Sequence, residues 1–163
     1  MAGKDVYTCC MKIRMTRYYG DGKVTKSVVE IDGTDFSCEA REPSFKDYTA
    51  SFPGCSQYCL PVGEFLCKPM ATEQSPMALT VMKAAGHRSC RFVYDVIHQT
   101  RMNSVVLGMA DRNIPPEERE ITDSTDTFEA FQQYVYHAYA QEEEMRLEIK
   151  NELTNTHDYG TSI

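Results

Sequence analysis

The spacing of apolar residues changes along the chain, from a period of two in the first part to three- and four-residue steps near the end. Residues 7–19 alternate between apolar and polar side chains, which predicts a half-buried strand. The apolar face of this strand carries Met11, Ile13 and Met15, while Lys12, Arg14 and Thr16 fall on the other face. Glycine turns at residues 20–22 and 32–33 then predict two hairpins.

The alternating pattern returns several times before residue 109. Further strands are predicted at residues 23–31, 35–40, 59–68, 77–83, 89–97 and 104–108. Residues 41–58 have no periodicity and contain Pro43, Pro53 and Gly54, so we expect a long loop there. This loop is either a surface excursion that covers one end of a barrel or a lid.

The pattern typical of a helix begins at about Ser124. Asp126 is the expected N-cap, with Glu129 as its partner in a capping box. The spacing predicts an amphipathic helix to about Leu153, whose apolar stripe is interrupted by the acidic block at residues 142–144. The stripe consists of Phe128, Phe131, Val135, Ala138, Met145 and Ile149.

These elements predict an α+β fold, a mostly antiparallel sheet or small open barrel of about seven strands with one long C-terminal helix. The expected organisation is a β-rich core domain at 1–108, a linker at 109–123, the helix at 124–153 packed on the core, and a flexible tail at 154–163.

Charge and composition narrow the classes of partner. The 163 residues carry a formal net charge of −7, which argues against nucleic acid as a partner. No run of apolar residues is long enough for a membrane span, and no signal peptide is recognisable at the N-terminus. The basic residues Lys12, Arg14 and Arg17 are expected to be solvated.

Seven cysteines without an export signal indicate reduced thiols and a cytoplasmic protein. An extracellular chain with one or two disulfides is the alternative. Cys55 and Cys59 are spaced like a ligand pair, but no second pair completes a zinc site. We therefore expect no metal and no cofactor.

Several segments together resemble a family of small uncharacterised bacterial and phage domains, which look like reduced relatives of the L,D-transpeptidase catalytic domain. The similar segments are MTRYYGDGKVTKSVVEIDGTDFSCEAREP at 15–43, LPVGEFLCKP at 60–69, VIH at 96–98 and SVVLG at 104–108. Residues 60–63 match the family's Pro-x-Gly segment, Ile97-His98 its Ile-His strand end, and Gly108 its terminal glycine. Where the family has Gly-Cys, this chain has Asn103-Ser104.

The resemblance suggests His98 as a catalytic base, with Ser104 in the place of the nucleophilic cysteine. A cysteine is activated readily by a neighbouring imidazole, whereas a serine needs a better-placed base and an oxyanion hole. The simpler interpretation, which we favour, is a strand-end histidine and an ordinary strand serine. Cys67 and Cys90 fall inside apolar strands, where thiols are usually inert.

Two other groups of residues are candidates for binding. One basic group could receive an anion at the mouth of the barrel, although scattered surface charge is the simpler explanation. It consists of His87, Arg88, Arg91 and Arg101. Tyr134, Tyr136 and Tyr139 are the candidate partner surface on the helix, because tyrosine is favoured at interfaces.

The favoured hypothesis is a non-catalytic binding or assembly protein on a degenerate transpeptidase-like scaffold, encoded by a phage or mobile element and located in the host cytosol or the virion. It would bind a protein partner or form a homo-oligomer. A hydrolase or acyl-transferase acting on cell-wall peptide through His98 and Ser104 is the alternative, and a binder of a small anionic ligand is the third.

Overall fold

The computed structural model describes residues 10–43, 59–82, 89–95 and 104–152. Within these ranges the chain forms a closed eight-stranded barrel and one α-helix. The strands are β1 (Cys10–Gly20), β2 (Val24–Ile31), β3 (Ser37–Pro43), β4 (Gly63–Met70), β5 (Ala78–Met82), β6 (Ser89–Tyr94), β7 (Ser104–Gly108) and β8 (Glu144–Asn151). The helix α1 spans Ser124–Ala140, and a short 3₁₀ helix spans Pro116–Glu118.

The seven predicted strands correspond to β1–β7, but the expectation of an open barrel with seven strands is wrong. Around the barrel the order is β1-β2-β3-β7-β6-β5-β4-β8. β8 closes the barrel, because it pairs in parallel with β1 from Cys10↔Glu144 to Arg17↔Asn151 and antiparallel with β4. The coarser expectation, a mostly antiparallel β-structure with one helix, is confirmed.

The predicted helix to Leu153 is also wrong in its second half, because α1 ends at Ala140 and residues 144–151 are a strand. The side chains of Met145, Leu147 and Ile149 point into the barrel and are at most 3% exposed. The predicted N-cap is displaced as well. Asp123 occupies the cap position with a left-handed φ of 52°, and Asp126 lies in the first turn.

The barrel interior is filled by the inward side of each strand, as expected for eight strands, which leave space for little more than side chains. Helix α1 covers one end of this core. Phe131 stacks on Phe92 of β6 with ring centroids 5.1 Å apart, and Phe128 contacts Tyr94 at 5.4 Å. Phe128, Phe131, Val135 and Ala138 form the buried face of the helix.

The opposite end of the barrel is polar inside. Arg17 and Glu42 point into the barrel and are almost completely buried. They form a bidentate ion pair, and both also bind the backbone of Leu60. The sequence-based expectation that Arg17 is solvated is therefore wrong, because Arg17 shares the inward face of β1 with Met11, Ile13 and Met15.

Lys26, a buried lysine of β2, holds the segment 109–122 against the outside of the barrel. The ammonium group of Lys26 donates to the carbonyl oxygens of Pro116, Glu117 and Arg119, at 2.8, 3.3 and 2.8 Å. Three acceptors satisfy its three N–H donors. Burial lowers the pKa of Lys26.

Candidate functional site

The predicted catalytic pair is described only in part, since His98 lies outside the described residues. Ser104 begins β7 and is 6% exposed. It faces away from the barrel interior, because its neighbours Val105 and Leu107 belong to the core. The dyad of His98 and Ser104 therefore remains a prediction.

The predicted anion site is likewise described at one position. His87, Arg88 and Arg101 lie outside the described residues, whereas Arg91 lies on β6 directly opposite Ser104 in the parallel pairing of β6 and β7. The side chains of Arg91 and Ser104 therefore share the outer face of the barrel. Whether the other three residues join them stays a prediction.

The buried cysteines of the barrel have the properties of inert thiols. Burial raises the pKa of Cys38 and of Cys67 to about 12, and raises the pKa of Cys90 well above its ordinary value. A thiol in this state contains almost no nucleophilic thiolate at neutral pH. Cys67 and Cys90 are therefore poor substitutes for the cysteine that is absent at position 104.

The three tyrosines of the predicted partner surface differ in their surroundings. Tyr134 packs edge-on against Phe36 at 5.5 Å and supports the core. Tyr136 and Tyr139 are 37% and 59% exposed. These two are the solvent-exposed members of the three, and they lie three residues apart on the last turns of α1.

Tyr139 borders a groove between the end of α1 and strand β4, which we call the acidic groove. It has a volume of about 660 Å³. Its lining residues are Leu66, Cys67, Lys68, Pro69, Tyr139, Ala140, Glu142, Glu143, Glu144 and Met145. Leu66 and Tyr139 are both substantially exposed, so the groove combines apolar side chains with a rim of carboxylates.

The acidic groove exists because β4 and β8 separate at this end of the barrel. Their pairing ends at Cys67↔Met145, and β8 starts only one residue earlier, at Glu144. β4 continues to Met70, where it pairs with β5 alone. The chain between α1 and β8 thus forms one wall of the acidic groove. Residues 68–70, which do not pair with β8, face that wall.

The charge of the groove is negative. Three glutamates, at 142, 143 and 144, line it together with one lysine, Lys68. Glu144 binds Arg146 at 3.1 Å, but Glu142 and Glu143 have no ion-pair partner among the described residues. The carboxyl end of α1 adds the negative end of the helix dipole at the same place.

Sequence analysis identified Tyr139 but missed the other wall of the groove. Apolar and charged residues alternate along the outer face of β4 and the residue before it: Val62, Glu64, Leu66, Lys68 and Met70. The apolar members are 39–51% exposed. The available signal in the sequence was that apolar residues occur on both faces of β4, because the outer face of an antiparallel strand is ordinarily polar.

Within the described ranges, no three histidine, cysteine, aspartate or glutamate side chains are grouped so as to hold a metal ion. Helix α1 is neither long nor apolar enough to cross a membrane, and the described residues contain no other candidate helix.

No protein-family model, curated protein or solved structure matches this chain. The resemblance to transpeptidase-like domains therefore remains a prediction that depends on the segments quoted above.

Proposed function

We propose that this protein is a non-catalytic binding protein whose acidic groove holds an extended, basic and apolar segment of a partner protein. The observation that carries the proposal is the meeting of exposed apolar side chains and unpaired carboxylates in one groove. Leu66 and Tyr139 supply the apolar contacts, and Glu142 and Glu143 supply the charge. Exposed apolar residues surrounded by polar ones are typical of interaction sites.

The chemistry of the partner follows from the lining of the groove. A lysine or arginine side chain complements the glutamates, and its methylene groups pack on Tyr139. An apolar side chain in the next position contacts Leu66. An extended segment suits the site, because the gap between β4 and β8 is bordered by strand backbone along one side.

The state of the candidate nucleophiles supports a binding role over catalysis. The thiols of Cys67 and Cys90 are kept protonated by burial, and Ser104 is buried at the start of a strand. A phage or mobile-element origin and the transpeptidase-like ancestry belong to the same proposal and are supported by the sequence resemblance alone. The cytoplasmic or virion location is part of it too, and the seven cysteines without an export signal support the cytoplasmic side.

Fluorescence anisotropy tests the proposal with a labelled peptide of about five residues in which lysine and leucine alternate. The expected affinity is micromolar and falls as salt is added, because Glu142 is exposed and Glu143 is only half-buried, so salt screens both charges. A matched peptide with glutamate in place of lysine is expected not to bind.

The variants Tyr139→Ala and Glu142→Gln/Glu143→Gln are each expected to weaken binding at least tenfold. Ile114→Ala is the matched control, since Ile114 is an exposed apolar residue outside the groove. Equal affinity in all variants would show that the peptide binds the negative protein non-specifically and would contradict the proposal.

A further inference from the structure

A second groove lies beside the first half of α1, and we call it the amide groove. It has a volume of about 280 Å³. Three glutamines line it, Gln74, Gln132 and Gln133, together with the aromatic rings of Tyr94, Phe128 and Tyr136. Glu129 is the charged residue of this lining. The groove therefore offers hydrogen-bonding amides and ring faces, and almost no charge.

The acidic groove and the amide groove both lie against α1. On the helix side, Thr125, Glu129, Gln132, Tyr136 and Tyr139 recur at steps of four and three residues, which places them in one stripe along α1. On the other side, β4 supplies residues 66–69 to the acidic groove, and the turn after β4 supplies residues 74–76 to the amide groove. The two grooves thus follow each other along one side of the helix.

Gln132 is the residue of the amide groove whose hydrogen bonding is incomplete. It is 2% exposed. Its Nε2 donates to the carbonyl oxygen of Met77 at 2.8 Å and to Oγ of Ser75 at 3.3 Å, and the contact with a carbonyl fixes which end of the amide is the nitrogen. Its Oε1 has no partner among the described residues.

A buried amide oxygen without a donor is uncommon in folded proteins, because it loses its hydrogen bond to water without replacement. The two neighbours of the Gln132 nitrogen cannot supply the missing donor from their present positions. Oε1 is itself buried, but Gln132 is part of the lining of the amide groove, so a ligand that parts the side chains there can supply the donor.

We propose that the bound segment extends from the acidic groove along α1 into the amide groove, where Gln132 accepts a hydrogen bond from an amide side chain of the segment. This inference rests on the proposed function. Gln132 and Tyr139 are seven helical residues apart, which is about 10 Å. That distance corresponds to about three residues of an extended peptide. The recognised sequence therefore combines a basic and apolar anchor with an asparagine or glutamine about three positions away.

Fluorescence anisotropy with peptides of two lengths tests whether the bound segment extends into the amide groove. The short peptide has about five alternating lysine and leucine residues, and the long peptide adds about four residues that include a glutamine. The long peptide is made with the extension at either end, and a matched version carries leucine in place of the glutamine. The better of the two glutamine peptides is expected to bind about tenfold more tightly than the short peptide, and the leucine version is expected to lose that gain.

Gln132→Met and Tyr136→Ala are each expected to abolish the gain while leaving the affinity for the short peptide unchanged. Since Gln132 also holds Ser75 and Met77, the melting temperature of Gln132→Met is measured, and Tyr136→Ala provides a test that does not disturb this buried amide. If the short peptide binds and the longer ones bind no better, the extension is refuted and the proposed function stands. If the short peptide fails to bind, both are refuted.

Discussion

Arg17 and Glu42 form a bidentate ion pair inside the barrel, with Nε to Oε1 at 3.0 Å and Nη2 to Oε2 at 2.9 Å. They lie on β1 and β3 and meet across the inner face of β2. Arg17 Nη2 also donates to the carbonyl oxygen of Leu60 at 2.5 Å, and the Leu60 N–H donates to Glu42. The pair thereby holds the segment that leads into β4, which forms one wall of the acidic groove.

Removal of one partner of this pair leaves the other charge buried. Glu42→Leu and Arg17→Met are each expected to lower the free energy of unfolding by about 3–5 kcal/mol. The double variant is expected to be more stable than either single variant, because no unpaired charge remains. Urea denaturation followed by circular dichroism measures the three values, and additive losses would contradict the structure.

The backbone of β7 at Gly108 lies close to residues 121 and 122. A Cβ atom there would lie 2.8 Å from Cβ of Ile121 and 2.9 Å from the carbonyl oxygen of Thr122. Gly108→Ala is therefore expected to destabilise the protein by about 1–3 kcal/mol. Gly22→Ala is the control, since a Cβ at Gly22 meets nothing within 4 Å, and its melting temperature is expected to remain within a few degrees of the wild type.

Glu142 adopts a left-handed backbone conformation with a φ of 57° directly after α1. Glycine adopts this conformation without the steric cost that a side chain incurs. Glu142→Gly is expected to raise the free energy of unfolding by up to about 1 kcal/mol. Glu143→Gly is the matched control, because Glu143 does not have a positive φ, and it is expected to give no such gain.

Stability is expected to fall in alkaline solution. Burial, followed by the hydrogen bond to Glu39, raises the pKa of Tyr18 to about 12, and burial raises those of Cys38 and Cys67 to about 12. These groups stay neutral in the folded protein, while in the unfolded chain they ionise at their ordinary pKa values of 9.0 for cysteine and 10.0 for tyrosine. Their contribution is therefore complete below pH 9 and is lost as the pH rises towards 12.

Urea denaturation at a series of pH values measures this loss. For each buried group that stays neutral, the free energy of unfolding is expected to fall by about 1.4 kcal/mol per pH unit, between the pKa of that group in the unfolded chain and its pKa in the folded protein. Cys67→Ala is expected to make the free energy of unfolding fall less steeply with pH, whatever the variant does to stability at neutral pH. An identical slope in this variant would show that Cys67 does not resist ionisation in the folded state.

The sequence was sufficient to predict β1–β7, because alternation and glycine turns are local signals. It was insufficient for β8, where Met145 and Ile149 are spaced by four residues and fit a helix as well as a strand. Leu147 fits only the strand, but the partners that stabilise β8 lie on β1, more than 130 residues earlier in the chain.

The candidate site was predicted only on its helix side. The tyrosines that lie outside the apolar stripe predicted a partner surface on the helix, and Tyr136 and Tyr139 are exposed. The opposite wall depends on where β4 separates from β8, which is a matter of strand register. Arg17 was misjudged by its charge, although its odd-numbered position placed it with Met11, Ile13 and Met15 on the inward face.

Binding of a basic and apolar segment in the acidic groove can be observed by two-dimensional NMR of the isotopically labelled protein during a titration with the lysine–leucine peptide. We expect saturable shifts of the amide signals at residues 66–68 and 139–145, with little change at the turn between β1 and β2, at the opposite end of the barrel. Shifts confined to other surfaces, or no saturable shifts at all, would contradict it.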